Sequence, residues 1–151
     1  MKQLDEFEVE FIEYTGLAMQ ADGLPKIAGR IFGLLIISDD LLSFSSIAET
    51  LQVSRGSVST NTRLLESLGI ARRVSLMGER QDYFRLPDNP YSSLIEGFAG
   101  RTRNYLRALD KTLNKAPEDS FAWKRLKNHK TFYETAQSNS ELLIKELKEI
   151  L

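Results

Sequence analysis

The stretch Ser54-Arg55-Gly56-Ser57-Val58-Ser59-Thr60-Asn61-Thr62-Arg63-Leu64-Leu65-Glu66-Ser67-Leu68-Gly69 decides how the chain is read. Ser54 has the side chain of a helix N-cap, able to accept from a free backbone N–H of the first turn. Val58, Thr62, Leu65 and Leu68 return at three- and four-residue steps and mark one inward face. Gly69 is the residue expected just past a helix end, where the backbone turns left-handed. Arg55, Ser59, Thr60 and Arg63 fall away from the inward face, with Ser57 and Asn61 near the border. Residues 54–62 hold five Ser or Thr. Both are mediocre helix formers, so this face is a poor choice for helix stability alone and a good one for hydrogen bonding.

Working outward, Ser43 or Ser45 caps a shorter helix carrying Ile47, Ala48 and Leu51, which Gln52-Val53 breaks. Two short helices joined by a tight turn form a helix-turn-helix outline. Beyond Gly69 the period shortens. Ile70, Val74 and Leu76 lie in a β-favouring run. Met77-Gly78-Glu79-Arg80 supplies a turn. Gln81-Asp82-Tyr83-Phe84-Arg85-Leu86 alternates polar and apolar, as a half-buried strand does. Helix, turn, helix, hairpin is the order of a winged helix.

The flanks read as helices. Leu4, Phe7, Phe11, Tyr14 and Ala18 predict an amphipathic helix that Gly23 ends. A second runs from Pro25 to about Ser38 with Ile27, Ile31, Leu34 and Leu35 buried. Gly29 and Gly33, one turn apart, suit close helix approach. Pro87 and Pro90 bracket a linker. Tyr91 through Leu113 predicts a helix of about six turns. Pro117 breaks the chain, Glu118 and Asp119 suit a new helix start, and Trp123 through Ile150 marks a last long helix, with a kink expected at Ser138-Asn139-Ser140. The expected fold class is mainly α: a winged helix-turn-helix with a short β-hairpin wing, flanked by N- and C-terminal dimerisation helices. The corresponding division is 1–22, 23–88 and 89–151.

Composition narrows the function. The chain has 151 residues, 42% hydrophobic and 27% charged, which is the balance of a globular protein. It has no cysteine and one histidine, His129. Thiolate metal sites, cysteine nucleophiles and multi-histidine metal centres are thereby excluded. His129 sits in a polar stretch and is expected on a solvated helix face. No enzyme activity, metal or cofactor is implied. The first residues, MKQLDEFEVE, lack the apolar core of a signal peptide, and no apolar run is long enough for a membrane. A soluble, cytoplasmic protein is expected.

The net charge of -1 excludes a protein that coats nucleic acid through bulk charge. The distribution tells more. Residues 1–24 carry six acids against one lysine, whereas residues 54–85 carry six arginines against three acids. A helix with small polar and arginine side chains fits the DNA major groove, where arginine and asparagine bond base edges bidentately. Ser54, Arg55, Ser57, Ser59, Thr60, Asn61 and Arg63 are the candidate DNA-binding residues there, and Arg80 at the hairpin tip is the candidate wing contact. Lys26 and Arg30 are weaker phosphate candidates. Arg72 and Arg73 are as well explained by pairing with Glu66 or Asp82. A winged-helix protein-interaction adaptor that never binds DNA is the alternative, since fold does not fix function.

The segments from Gly23-Leu24-Pro25 through Ala28-Gly29-Arg30-Ile31-Phe32-Gly33-Leu34-Leu35, then Ile47-Ala48-Glu49, Ser54-Arg55-Gly56-Ser57-Val58-Ser59, Arg63 through Ile70, and Gly78-Glu79-Arg80-Gln81-Asp82-Tyr83-Phe84 resemble the GbsR-type branch of the MarR superfamily. The resemblance covers about residues 5–86, and Thr62 departs from it where a larger aliphatic residue is usual. It implies a dimeric transcriptional regulator, most simply a repressor. Terminal helices would form the dimer, and each wing domain would read one half of a pseudo-palindromic operator on duplex DNA. It also implies a small-molecule effector and raises choline-like cations. Phe11, Tyr14, Tyr91, Phe98, Tyr105 and Trp123 would offer cation–π faces to such a ligand; they equally suit a helical core.

Overall fold

The computed structural model describes residues 4–151. Its elements, in chain order, are α1 (Glu6–Ala21), α2 (Lys26–Ile36), β1 (Leu42–Ser43), α3 (Phe44–Leu51), α4 (Arg55–Ser67), β2 (Arg72–Ser75), β3 (Asp82–Arg85), α5 (Pro90–Leu113) and α6 (Phe121–Ile150). The chain divides at Pro90 into two units.

The first unit is built on α1 and α2. Gly16, Gly29 and Gly33 let their backbones touch. A Cβ added at Gly29 would stand 2.6 Å from the Thr15 carbonyl oxygen and 2.7 Å from the Gly16 Cα. The expected close approach through Gly29 and Gly33 is therefore present, and Gly16 is its partner on α1. This contact rotates α1 away from the expected orientation. Glu8, Ile12 and Gly16 face inward, while Phe7 and Tyr14 are 65% and 62% exposed. The aromatic stripe of α1 is its outer face in this unit, not its core face. Glu8 closes a capping box with Asp5, whose N–H donates to Glu8 Oε2 at 2.9 Å.

Ile31, Leu34 and Leu35 of α2 join Ile47, Leu51, Val58, Leu65, Ile70 and Phe84 in one core. Ile27 is only partly buried, and Phe32 is buried in its stead. Pro25 caps α2 rather than opening it, and the helix ends at Ile36. The hairpin gains a third strand. Short β1 pairs antiparallel with β3, giving the order β1-β3-β2. Two residues are too few for alternation to show in sequence, and Ser43 doubles as the N-cap of α3, accepting from Ser46 N–H at 3.0 Å. The observed architecture is the expected winged helix-turn-helix within a mainly helical chain.

The second unit is a hairpin of two long helices. Asp119 adopts a left-handed φ of 61°. Ser120, not Glu118 or Asp119, caps α6 by accepting from Trp123 N–H at 3.1 Å. α6 continues through Ser138-Asn139-Ser140 as one helix. Ser140 Oγ donates to the Ala136 carbonyl at 2.7 Å, so the serine is accommodated within the helix. Lys130 ties α6 to α5 through Asp110 at 2.7 Å. No helix among the described residues is long and apolar enough to cross a membrane, and no cluster of three or more potential metal ligands occurs among them.

Candidate nucleic-acid interface

Helix α4 is stopped at both ends by its own sequence. At the start, Ser54 Oγ accepts from Ser57 N–H at 3.1 Å. At the end, Gly69 N–H donates to the Glu66 carbonyl and Ile70 N–H to the Leu65 carbonyl, each at 3.0 Å. This is a Schellman motif, with Gly69 at φ 77°. The turn before α4 is held by Gln52, which takes φ 53° without being glycine, while Val53 N–H returns to the Ala48 carbonyl at 3.0 Å. Caps and turn together fix which face of α4 is outward.

That face is polar and basic. Ser54, Arg55, Thr60 and Arg63 are exposed, and Ser57 and Ser59 are half-buried. Arg55 Nη2 donates to Ser45 Oγ on α3 at 3.0 Å. Arg63 folds back along the helix, donating from Nη2 to Ser59 Oγ at 2.7 Å. Both guanidiniums are thus oriented by serine hydroxyls, which are neutral partners and leave the positive charge uncompensated. Ser45 is the site residue that sequence reasoning weighed only as a helix cap. Beside Gly56 only the Ser54 hydroxyl lies within 4 Å of an added Cβ, at 3.8 Å, so the helix start is open.

Asn61 does not belong to this face. It is 6% exposed, and its Nδ2 donates to the Ser57 carbonyl at 2.8 Å. The spacing explains why: Asn61 lies three residues after Val58 and four before Leu65, on the same stripe. Its expected contact with a base edge is corrected by burial. Thr62, also fully buried, satisfies its hydroxyl against the Val58 carbonyl at 2.8 Å. A hydroxyl paired within its own helix lets threonine stand in the buried stripe.

Arg80 is exposed at the hairpin tip. Arg73 is used inside the fold. It bonds Glu66 at 2.9 Å and Asp82 at 3.2 Å, and its guanidinium stacks over the Phe84 ring at 5.6 Å. The hydrogen bonds that Arg73 donates to Glu66 hold its pKa above the ordinary value, against the opposing effect of burial. This triad withdraws two of the three acids of residues 54–85 and one of the six arginines. Five arginines and Glu79 lie outside this triad, and the positive excess of residues 54–85 is carried by arginines that it does not hold.

Lys26 and Arg30 are not free for phosphate. Both pair with Glu13 on α1, at 2.9 Å and 2.6 Å. The hydrogen bond from Lys26, helped by the charge of Arg30, holds the Glu13 carboxyl below its usual range, against a smaller opposing effect of burial. In the second unit, Lys127 covers the Trp123 ring at 4.3 Å, so one face of that aromatic is already occupied. His129 is exposed, as expected, yet its Nε2 meets the Tyr105 hydroxyl at 3.0 Å. Phe98, Arg101, Thr102, Tyr105 and Tyr133 line a cleft of about 280 Å³ there. Phe11 and Tyr14 lie in the other unit.

No protein-family model matches the chain. It is 34% identical over 102 residues to the HTH-type transcriptional regulator MmpR5 of Mycobacterium tuberculosis, covering 67% of this chain and 58% of that protein. It is 24% identical over 119 residues to the HTH-type transcriptional repressor OpcR of Bacillus subtilis, covering 77% and 64%. The matches therefore span less than two thirds of either relative. A solved crystal structure of a transcriptional regulator shares the fold with a TM-score of 0.83 at 24% identity, covering 95% of this chain and 99% of that one. The chain is a winged helix-turn-helix protein related in sequence to HTH-type transcriptional regulators.

Proposed function

We propose that this protein is a sequence-specific, DNA-binding transcriptional regulator of the MarR superfamily, of its GbsR-type branch, acting as a repressor. One observation carries the reading. The outward face of α4 presents Arg55 and Arg63, both held by serine hydroxyls and neither by a carboxylate. An arginine paired to a carboxylate is a structural element; one oriented but uncompensated is set for an incoming anion or base edge. Ser54, Ser57, Ser59 and Thr60 extend the hydrogen-bonding surface, and Arg80 holds the DNA from the wing.

Binding duplexes are selected from a random pool and titrated by fluorescence anisotropy. Arg55→Ala and Arg63→Ala are each expected to weaken binding by about 1–3 kcal/mol, the worth of a bidentate base contact, with the thermal midpoint unchanged. A double variant that binds as tightly as wild type removes the assignment. Wild-type binding that does not respond to salt favours the adaptor reading, because phosphate contacts release counterions.

The active form in this reading is a homodimer on a pseudo-palindromic site. The second unit supports it, with Phe121, Phe132, Leu142 and Ile150 between 62% and 81% exposed along α6. Such a stripe is covered in a stable soluble protein, and a second copy covers it symmetrically. Sedimentation showing a 17.2 kDa species at micromolar concentration overturns the dimer. The effector is a small molecule, for which the Phe98–Tyr105–Tyr133 cleft is the candidate seat. Arg101 on its wall disfavours a choline-like cation there, so calorimetry with choline is expected to show no heat from this cleft.

A further inference from the structure

The pairing of β2 with β3 sets Arg72 directly opposite Arg85. Cross-strand partners point to the same side of a sheet, with Cβ atoms about 5 Å apart. Arg73 opposite Phe84, and Ser75 opposite Asp82, lie on the side turned to the core. Arg72 and Arg85 therefore lie on the outer side with Val74, Tyr83 and Ser43. No carboxylate is among the paired strand residues on that side. Both arginines are exposed, and neither has an ion pair among the described residues.

Like charges directly opposite one another destabilise a strand pair. The chain had a remedy at hand, because Glu66 and Asp82 are close to this hairpin. Both are committed to Arg73 on the other side, and Asp82 also accepts from Ser75 Oγ at 3.1 Å. Asp39 and Asp40 line the same cleft as Arg85 without forming an ion pair with it. Two arginines at facing register positions, neither held in an ion pair, suit a tetrahedral oxyanion, which can accept from both planar forks at once.

We infer that Arg72 and Arg85 together hold a backbone phosphate of bound duplex DNA on the outer side of the wing, a contact separate from α4 and from Arg80. This inference rests on the DNA-binding reading above and adds an anion site to it. An acidic segment of a partner protein is the competing occupant and an outcome of the test.

The experiment compares wild type with R72Q/R85Q and with R72E, all as the full chain. Two quantities are measured: the thermal midpoint in chloride buffer, and the dissociation constant for a random-sequence duplex across a salt series. R72E sets an acid opposite Arg85 and is expected to raise the midpoint while weakening DNA binding. R72Q/R85Q is expected to raise the midpoint slightly, weaken DNA binding about tenfold at low salt, and lower the slope of log K against log salt by about 1. Opposite signs for stability and binding are the signature. A wild type that binds duplex DNA with the same affinity and salt slope as R72Q/R85Q overturns this contact in favour of an acidic segment of a partner protein, and leaves the proposed function standing. A wild type that binds no duplex overturns both. A lower midpoint for R72E shows that the register pair is not repulsive and overturns the inference.

Discussion

Residues 4–90 and residues 91–151 are both rich in apolar side chains and use them in opposite ways. Of the fifteen buried hydrophobic residues among those described, thirteen lie between Ile12 and Phe84, and the other two, Ala99 and Leu109, are both in α5. The first unit surrounds its apolar groups with four helices, α1 to α4, and a sheet. The second has two helices, and a pair of helices buries only the strip along which they meet. Its other apolar groups, among them Phe121, Phe132 and Leu142, stay exposed. A core of its own lets the first unit hold side chains such as Arg55 and Arg63 in place. The exposed apolar stripe of the second unit is the ground on which the dimer is proposed.

The comparison is broken most directly at paired positions. Leu65→Ala, in the middle of the α4 core, is expected to lower stability by about 2–5 kcal/mol, the range for truncating a fully buried leucine. Leu109→Ala, on the two-helix strip, is expected to lose less in dilute solution and to become concentration-dependent. Chemical denaturation at two protein concentrations checks both, and equal losses would show that α5 and α6 possess a core comparable to that of the first unit.

Glycines give a second pair. Gly29→Ala brings a Cβ within 2.6 Å of Thr15 O, a backbone atom that cannot swing away, and is expected to destabilise by about 1–3 kcal/mol. Gly100→Ala meets nothing within 4 Å and is expected to stabilise α5 by about 0.5–1 kcal/mol. Thermal melts settle the first. For the second, a loss of dimer affinity by sedimentation would show that a second copy approaches Gly100 closely.

Gly56→Ala sharpens the contrast between folding and function. It removes glycine from the first turn of α4, where an added methyl has room, and is expected to add up to about 1 kcal/mol of stability. The same methyl stands on the open helix start and is expected to weaken DNA binding. Melts and anisotropy on the same variant check the two signs, and a gain in both would place DNA elsewhere on α4.

The smallest effect concerns Glu13. Its folded-state pKa is lowered, chiefly by Lys26. The linked stability is therefore present in full above the unfolded carboxylate value and is lost as pH falls through the folded one. Glu13, Lys26 and Arg30 are partly exposed, so the effect is expected to be only a few tenths of a kcal/mol. Glu13→Gln should be slightly less stable at neutral pH and match wild type in acid. A constant difference across the titration would assign the loss to packing instead.

Much of this was legible without coordinates. The caps at Ser54 and Gly69, the shift of period after Gly69 and the glycine spacing at 29 and 33 are local signals, and local signals state backbone conformation directly. Facing was harder. The Phe7–Phe11–Tyr14 stripe had the right period for a core, and so did Glu8, Ile12 and Gly16. Periodicity finds stripes but does not rank them when a small-residue contact outweighs an aromatic one. Asn61 is a related case: the spacing sets it near the border of the inward face, and the packing beside Val58 and Leu65 buries it.

The sequence by itself determined that a helix-turn-helix and a hairpin occur in this order and that the basic groups of residues 54–85 are all arginine. Those are properties of composition and of neighbours within one turn. Only the tertiary structure decided which arginines are free. Arg73 is neutralised by Glu66 across seven residues and by Asp82 across nine, Arg55 reaches Ser45 across ten, and Arg72 faces Arg85 across the strand pair. Charge acts through space, and these distances exist only once the hairpin has been set in register and laid against α4.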